Sequence, residues 1–190
     1  LPWYPGDTVN IGIGQGDMLV TPLQLATAVA TLANRGKIVT PRMLKSGVEL
    51  PEPSPETRLP DLDSVSDDIW DLIFESMSMV VHRGNKGFGE NGTAWFYIGR
   101  DIPYQMAGKS GTAQVVGIPQ GEEYDKDELT ERQRKHAWFV AFAPLDKPKI
   151  ALAVLIENGG GGSSIASPVA RKILDHYLLE DRFKVAQADD

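Results

Sequence analysis

Two uncharged apolar runs, Trp138 to Ala143 (WFVAFA) and Ile150 to Ile156 (IALAVLI), are separated only by the six residues PLDKPK. Each run has strand length, is rich in β-branched or aromatic residues, and is apolar enough to be a central strand covered on both faces. A parallel crossover needs about a dozen residues or more, so this connector demands antiparallel pairing. Any fold for the chain must be built around that hairpin.

A third strand is read from Tyr104 to Val116, after the pattern changes at Pro103. Between it and the hairpin lies GEEYDKDELTERQRKH. The stretch from Gly117 to His136 is expected to be a solvated, mobile excursion, because its charge density leaves little apolar surface to offset the entropy of ordering it.

Three helices are expected around these strands. Thr21, Pro22 and Gln24 occupy the N-cap, N1 and N3 positions of a capping box, with Val20 and Leu25 at the staple positions; Leu25, Val29, Leu32 and Ala33 follow one face and Gly36 ends the helix. A second helix starts near Ser66 or Asp67 and stops at Gly84, with Ile69, Leu72, Ile73 and Val80 at helical spacing. The last follows NGGGGSS and carries Val169, Ala170, Ile173, Leu174, Tyr177 and Leu178 on its face, before a polar tail beyond Leu179. Leu50 to Pro60, with four prolines, is a surface connection.

At 190 residues, 42% hydrophobic and 24% charged, the chain suits one substantial core, so one domain or most of one is expected. A net charge of -7 without a dense basic cluster argues against a nucleic-acid partner. There are no cysteines, so disulfides and cysteine-based metal sites are excluded. No apolar run approaches the roughly 20 residues of a membrane span. LPWYPGDTVNIGIG has no initiator Met and reads as the inside of a folded region, so the chain is expected to be part of something longer.

Several motifs that resemble sites have simpler explanations. Gly12, Gly14 and Gly16 form Gly-x-Gly-x-Gly, one residue short of a dinucleotide loop and without a preceding strand, which leaves a tight turn. The acidic run Glu122 to Glu131 has Thr130 where a calcium loop opened by Asp125 would need glycine. His82, His136 and His176 lack metal-ligand spacing and are assigned surface or capping roles.

Lys-Ser-Gly occurs twice, at Lys45-Ser46-Gly47 in a proline-bounded stretch and at Lys109-Ser110-Gly111 on a predicted strand. Only the second continues into Thr112, Ala113 and Gln114. On a strand Ser110 and Thr112 share a face, so two hydroxyls can converge on one anion, with Lys109 on the opposite parity at the strand's start. Gly111 keeps the surface open to a substrate backbone, and the Thr112 amide could face a developing oxyanion.

AGKSGTAQ, together with IGIGQGDMLVTPLQLATAVATLANRG, HAWFVAFAP and ENGGGGSSIASPVARKILDHYL, resembles the C-terminal part of the transpeptidase domain of class B penicillin-binding proteins, over Leu1 to Leu179. The resemblance implies an α+β fold, the penicilloyl-serine transferase fold with an antiparallel sheet flanked by helices, present as an incomplete domain. It implies a serine peptidoglycan D,D-transpeptidase of cell-wall elongation that β-lactams acylate. A D,D-carboxypeptidase, a septal transpeptidase, a serine β-lactamase or a non-catalytic β-lactam sensor would share the same motif.

The family's third motif maps onto Lys109, Ser110 and Gly111, with Thr112 beside it as carboxylate and oxyanion partner; substrate binding is expected at Ser110, Thr112, Ala113 and Gln114. The other two motifs, Ser-x-x-Lys with the nucleophile and Ser-x-Asn, occur nowhere in the chain and are expected upstream of Leu1. No cofactor or metal is implied. The implied partners are peptidoglycan stem peptides, β-lactam antibiotics, a membrane glycan polymerase and rod-complex scaffold proteins. The implied location is the periplasmic face of the inner membrane, reached through an N-terminal anchor outside this chain.

Overall fold

The structure is a computed structural model and describes residues 2–14, 19–42, 60–87, 89–115 and 129–180. Its elements are α1 (Pro5–Gly12), α2 (Pro22–Ala33), α3 (Asp67–His82), β1 (Ala107–Ala113), β2 (His136–Ala143), β3 (Ile150–Ile156) and α4 (Ser167–Asp175). Short π-type turns cover Trp95–Gly99, Gly162–Ala166 and His176–Glu180, and a 3-10 turn covers Glu131–Gln133.

The three strands form one antiparallel sheet in the order β1-β2-β3, with the hairpin register running from Ala137 opposite Ile156 to Ala143 opposite Ile150. One face carries Phe139, Ala141, Leu152 and Val154 and packs against Ala166, Ala170 and Leu174 of the C-terminal helical segment and against Ile98. The other carries Ala107 and Phe142 and packs against Val29 and Ala33 of α2 and Phe74 of α3. The Phe74 and Phe142 rings meet at 4.9 Å between centroids. A sheet buried on both faces explains why the hairpin sequence is apolar throughout.

The α2 start is as its sequence indicates: the Thr21 hydroxyl accepts from the Gln24 amide at 3.2 Å and the Gln24 side chain accepts from the Thr21 amide at 2.9 Å. The chain on either side of residues 43–59 comes together, since Leu62 N–H donates to Gly36 O at 3.0 Å and Ile38 N–H to Asp61 Oδ1 at 2.8 Å. Arg35 then ties the end of α2 to Asp67 and Asp71 of α3.

Three expectations are corrected. β1 is shorter than Tyr104 to Val116, because its partner β2 runs only from His136 to Ala143: Ala107 lies opposite Phe142 and Ala113 opposite His136, and Pro144 beyond β2 has no N–H to give. α3 buries Trp70, Phe74 and Val81, while Ile69 and Leu72 stand 49% and 62% exposed; the larger aromatic surfaces take the interior. α4 turns Ala170 and Leu174 inward and leaves Val169, Ile173 and Tyr177 outside, since the small residues Ala166, Ser167 and Ala170 let its backbone approach the sheet closely. α1, which no expectation covered, is a helix without a buried residue, with Pro5 at its first turn. Gly12 ends it and Gly14 has φ +76; residues 15–18 lie outside the described residues. So do Gly117 to Glu128, hence most of the charged excursion and acidic run, and Lys45-Ser46-Gly47.

Candidate active site

β1 holds the second Lys-Ser-Gly at the edge of the sheet. Ser110 and Thr112 lie opposite Phe139 and Ala137, so both are on the α4 side of the sheet, as strand parity requires; Lys109 pairs with Val140 and is on the other side. Ser110 and Thr112, with Gly111 between them, line a polar cavity of about 250 Å³ whose remaining wall is Tyr97 and the loop Gly161 to Ser164. The Thr93 and Ser110 hydroxyl oxygens are 3.3 Å apart. Lys109 is exposed and its ammonium donates to the Ser110 carbonyl at 2.6 Å. Ala113 ends the strand, and Gln114 follows it on the surface.

The backbone of β1 alternates. Met106 N–H donates to His82 Nε2 at 3.0 Å, away from β2. Amides of an edge strand point alternately to the neighbouring strand and away from it, so Gly108, Ser110 and Thr112 also turn their amides to the outer edge. The Ser110 carbonyl that Lys109 reaches is in the same row. A reacting group laid along this edge meets the Thr112 amide, two hydroxyls and one ammonium, a set suited to an anionic peptide end and to a developing oxyanion.

The cavity loop is fixed by the start of β2. Asn158, with φ 55, donates its amide to His136 Nδ1 at 2.9 Å and its side chain to Arg134 O at 3.0 Å, and Gly160 N–H donates to Lys135 O at 2.8 Å. His136 is therefore a backbone acceptor, and so is His82, which corrects the surface or capping roles expected of them. On the other side, Arg171 of α4 reaches Asp175 at 2.7 Å, Ile98 O at 2.8 Å and Asp101 at 3.3 Å. The Tyr104 hydroxyl donates to Asp175 at 2.8 Å. Burial, then the Asp175 carboxylate, raise the Tyr104 phenol above its ordinary value.

Thr93, Tyr97 and the loop from Gly161 to Ser164 were not foreseen as site residues. The glycine run of NGGGGSS was a usable signal of close backbone approach; Thr93 and Tyr97 carried none, since tertiary contacts with the end of α3 and with α4 bring their segment to β1.

The penicillin binding protein transpeptidase domain model matches residues 2–175. The chain belongs to the penicillin-binding protein transpeptidase family. Peptidoglycan D,D-transpeptidase MrdA of Haemophilus influenzae is 43% identical over 180 residues, 93% of this chain and 26% of the relative. Pseudomonas aeruginosa PBP2, in a structure with WCK 5153, is 41% identical with a TM-score of 0.72, over 93% of this chain and 33% of that one. Helicobacter pylori PBP2, solved in complex with MreC, is 28% identical with a TM-score of 0.65, over 94% of this chain and 29% of that one. The chain thus spans about a quarter of the length of the curated relative and has the fold of this part of the transpeptidase domain. The α+β sheet flanked by helices, expected from the sequence blocks, is borne out.

Proposed function

We propose that the full-length protein carrying this chain is a peptidoglycan D,D-transpeptidase of cell elongation, and that β1 is its third catalytic motif. The observation that supports this most is the pair of hydroxyls, Ser110 and Thr112, set on one face of an edge strand against a polar cavity in a chain of this family. In this reading a serine outside the chain attacks the penultimate D-Ala carbonyl carbon of a stem peptide. The terminal D-Ala leaves as the amine, and an amine of a neighbouring stem attacks the resulting ester and frees the serine. Lys109 supplies positive potential, Ser110 and Thr112 donate to the terminal carboxylate, and the Thr112 amide faces the oxyanion. Ala113 and Gln114 continue the surface along which the peptide lies. β-Lactams acylate the same serine. A glycan polymerase and an MreC-like scaffold are the proposed partners, and the periplasmic face of the inner membrane the proposed location.

The test is labelling of the full-length protein with a fluorescent penicillin, read on a denaturing gel and competed by an unlabelled β-lactam, with D-Ala release from a stem pentapeptide alongside. Absence of a covalent adduct overturns the proposal. An adduct on the present 190 residues alone, which hold no Ser-x-x-Lys, overturns the assignment of the nucleophile.

A further inference from the structure

The last turn of α3 holds the Ser110 region from two directions. The backbone carbonyls of Val80 in that turn and of Arg83 just after it accept from Ala94 N–H at 2.9 Å and Gly92 N–H at 2.7 Å, which fixes Thr93 beside Ser110. The turn's side chain His82 takes the Met106 amide, the first of the outward-facing row that continues through Gly108, Ser110 and Thr112.

We infer that His82 is a positioning residue for the acyl-transfer site: as a neutral ring it anchors the outer edge of β1 through Nε2, and its protonation releases that edge and slows acylation. This role presupposes that β1 is the catalytic strand.

An imidazolium donates from both nitrogens, so it has no lone pair for the Met106 amide. The charged ring would leave that amide and its own Nε2 proton facing each other. The half-buried ring lines a cleft, and turning into it gives up the bond to the Met106 amide just as the facing protons do. With that tether lost, β1 keeps the Thr93 contact at Ser110, the ladder to β2 and the glycine loop seated at Gly111, but its outer edge is no longer anchored at Met106.

The charged groups around the ring do not replace the lost bond. Asp71 and Glu75 of α3 and Arg83 just after it line the same cleft; among the described residues the turn after β2 adds Leu145 to its lining, and the segment before β1 meets the ring through the Met106 backbone. Asp71 is engaged by Arg35 at 2.5 Å. Burial lowers the His82 imidazole below its ordinary value, and the Met106 N–H donated to Nε2 at 3.0 Å requires the neutral form.

The experiment uses the full-length protein as wild type, His82→Gln and His82→Phe. The second-order rate of acylation by a fluorescent penicillin is measured over roughly pH 5 to 8, where an imidazole changes charge. NMR of the ring nitrogens follows His82 itself, and thermal melting checks each fold. Wild type should lose rate on the acid side in step with His82 protonation. His82→Gln, whose amide oxygen accepts the same N–H at every pH, should keep the neutral rate within about twofold and lose that acid fall; His82→Phe should be slower by roughly three- to tenfold at neutral pH. If His82→Phe does not fold, His82→Gln carries the test. An acid fall unchanged in His82→Gln, or an Nε2 that carries a proton at neutral pH, overturns the role of His82. A wild type that takes no label at any pH overturns the transpeptidase reading instead, and the NMR measurement still decides the bond.

Discussion

A β-carbon added to Gly162 would stand 2.5 Å from the carbonyl oxygen of Gly111 and 2.9 Å from its amide nitrogen, and closer still to the carbonyl of Trp138. The glycine loop is thus seated on the backbone of β1 and β2 at the cavity. Gly162→Ala must push the loop or the strand aside. It should destabilise the domain by about 1 to 3 kcal/mol, the usual range for overpacking a filled site, and should slow acylation. Urea unfolding and penicillin labelling of the full-length variant check both; an unchanged melt and rate would refute the close seating.

The duplicated tripeptide supplies an internal control. In the proposed site Lys109→Ala, Ser110→Ala and Thr112→Ala each remove a group that faces the substrate's anion, and a hydrogen bond to a charged group is worth about 1.5 to 3 kcal/mol, so each should slow acylation by roughly ten- to a hundredfold. Lys45→Ala and Ser46→Ala should change it little. Rates of acylation for the five variants decide, with equal losses at both tripeptides counting against the assignment of β1.

The clamp from α4 to the segment before β1 should matter for stability. Tyr104→Phe removes a 2.8 Å donor from Asp175 but leaves Arg171 on that carboxylate. A loss of about 1 to 3 kcal/mol is expected. Arg171→Ala should cost more, since the 15% exposed guanidinium also holds Ile98 O and Asp101. Urea midpoints give the order.

Two groups set opposite ends of a pH window. His82 is lowered from 6.5 by burial, so its folded form binds fewer protons than the unfolded chain; the stability it contributes is complete above about 6.5 and declines as pH falls through the lower folded value. Tyr104 is raised from 10.0 by burial and then by Asp175, so its contribution is complete below about 10 and is lost as pH rises through the higher folded value. Urea midpoints against pH should flatten on the acid side in His82→Gln and on the alkaline side in Tyr104→Phe.

The hairpin and α2 were legible because their signals are local: an uncharged run beside a short connector, and Thr21 with Gln24 three residues on. The Lys109 to Thr112 face was legible because strand parity needs no tertiary knowledge. Burial on α3 and α4 was not, since Ile69 and Trp70, or Val169 and Ala170, satisfy helical spacing equally well, and only the distance to the sheet decides between them. His82 was misjudged for the same reason. Its partner is a backbone amide 24 positions away, and a backbone group leaves no mark in sequence.

β3 lies at the end of the sheet opposite β1, and among the described residues no strand pairs with its outer side. Its seven residues, IALAVLI, hold no charge, proline or glycine to discourage docking by a second chain. Produced by itself, the polypeptide offers an adhesive seam, and its behaviour in solution should be governed by concentration before it is governed by folding. The same seam is an attachment point: a separately expressed segment that supplies a matching strand could be assembled there, which would make reconstitution from two pieces a practical way to build the sheet outward from β3.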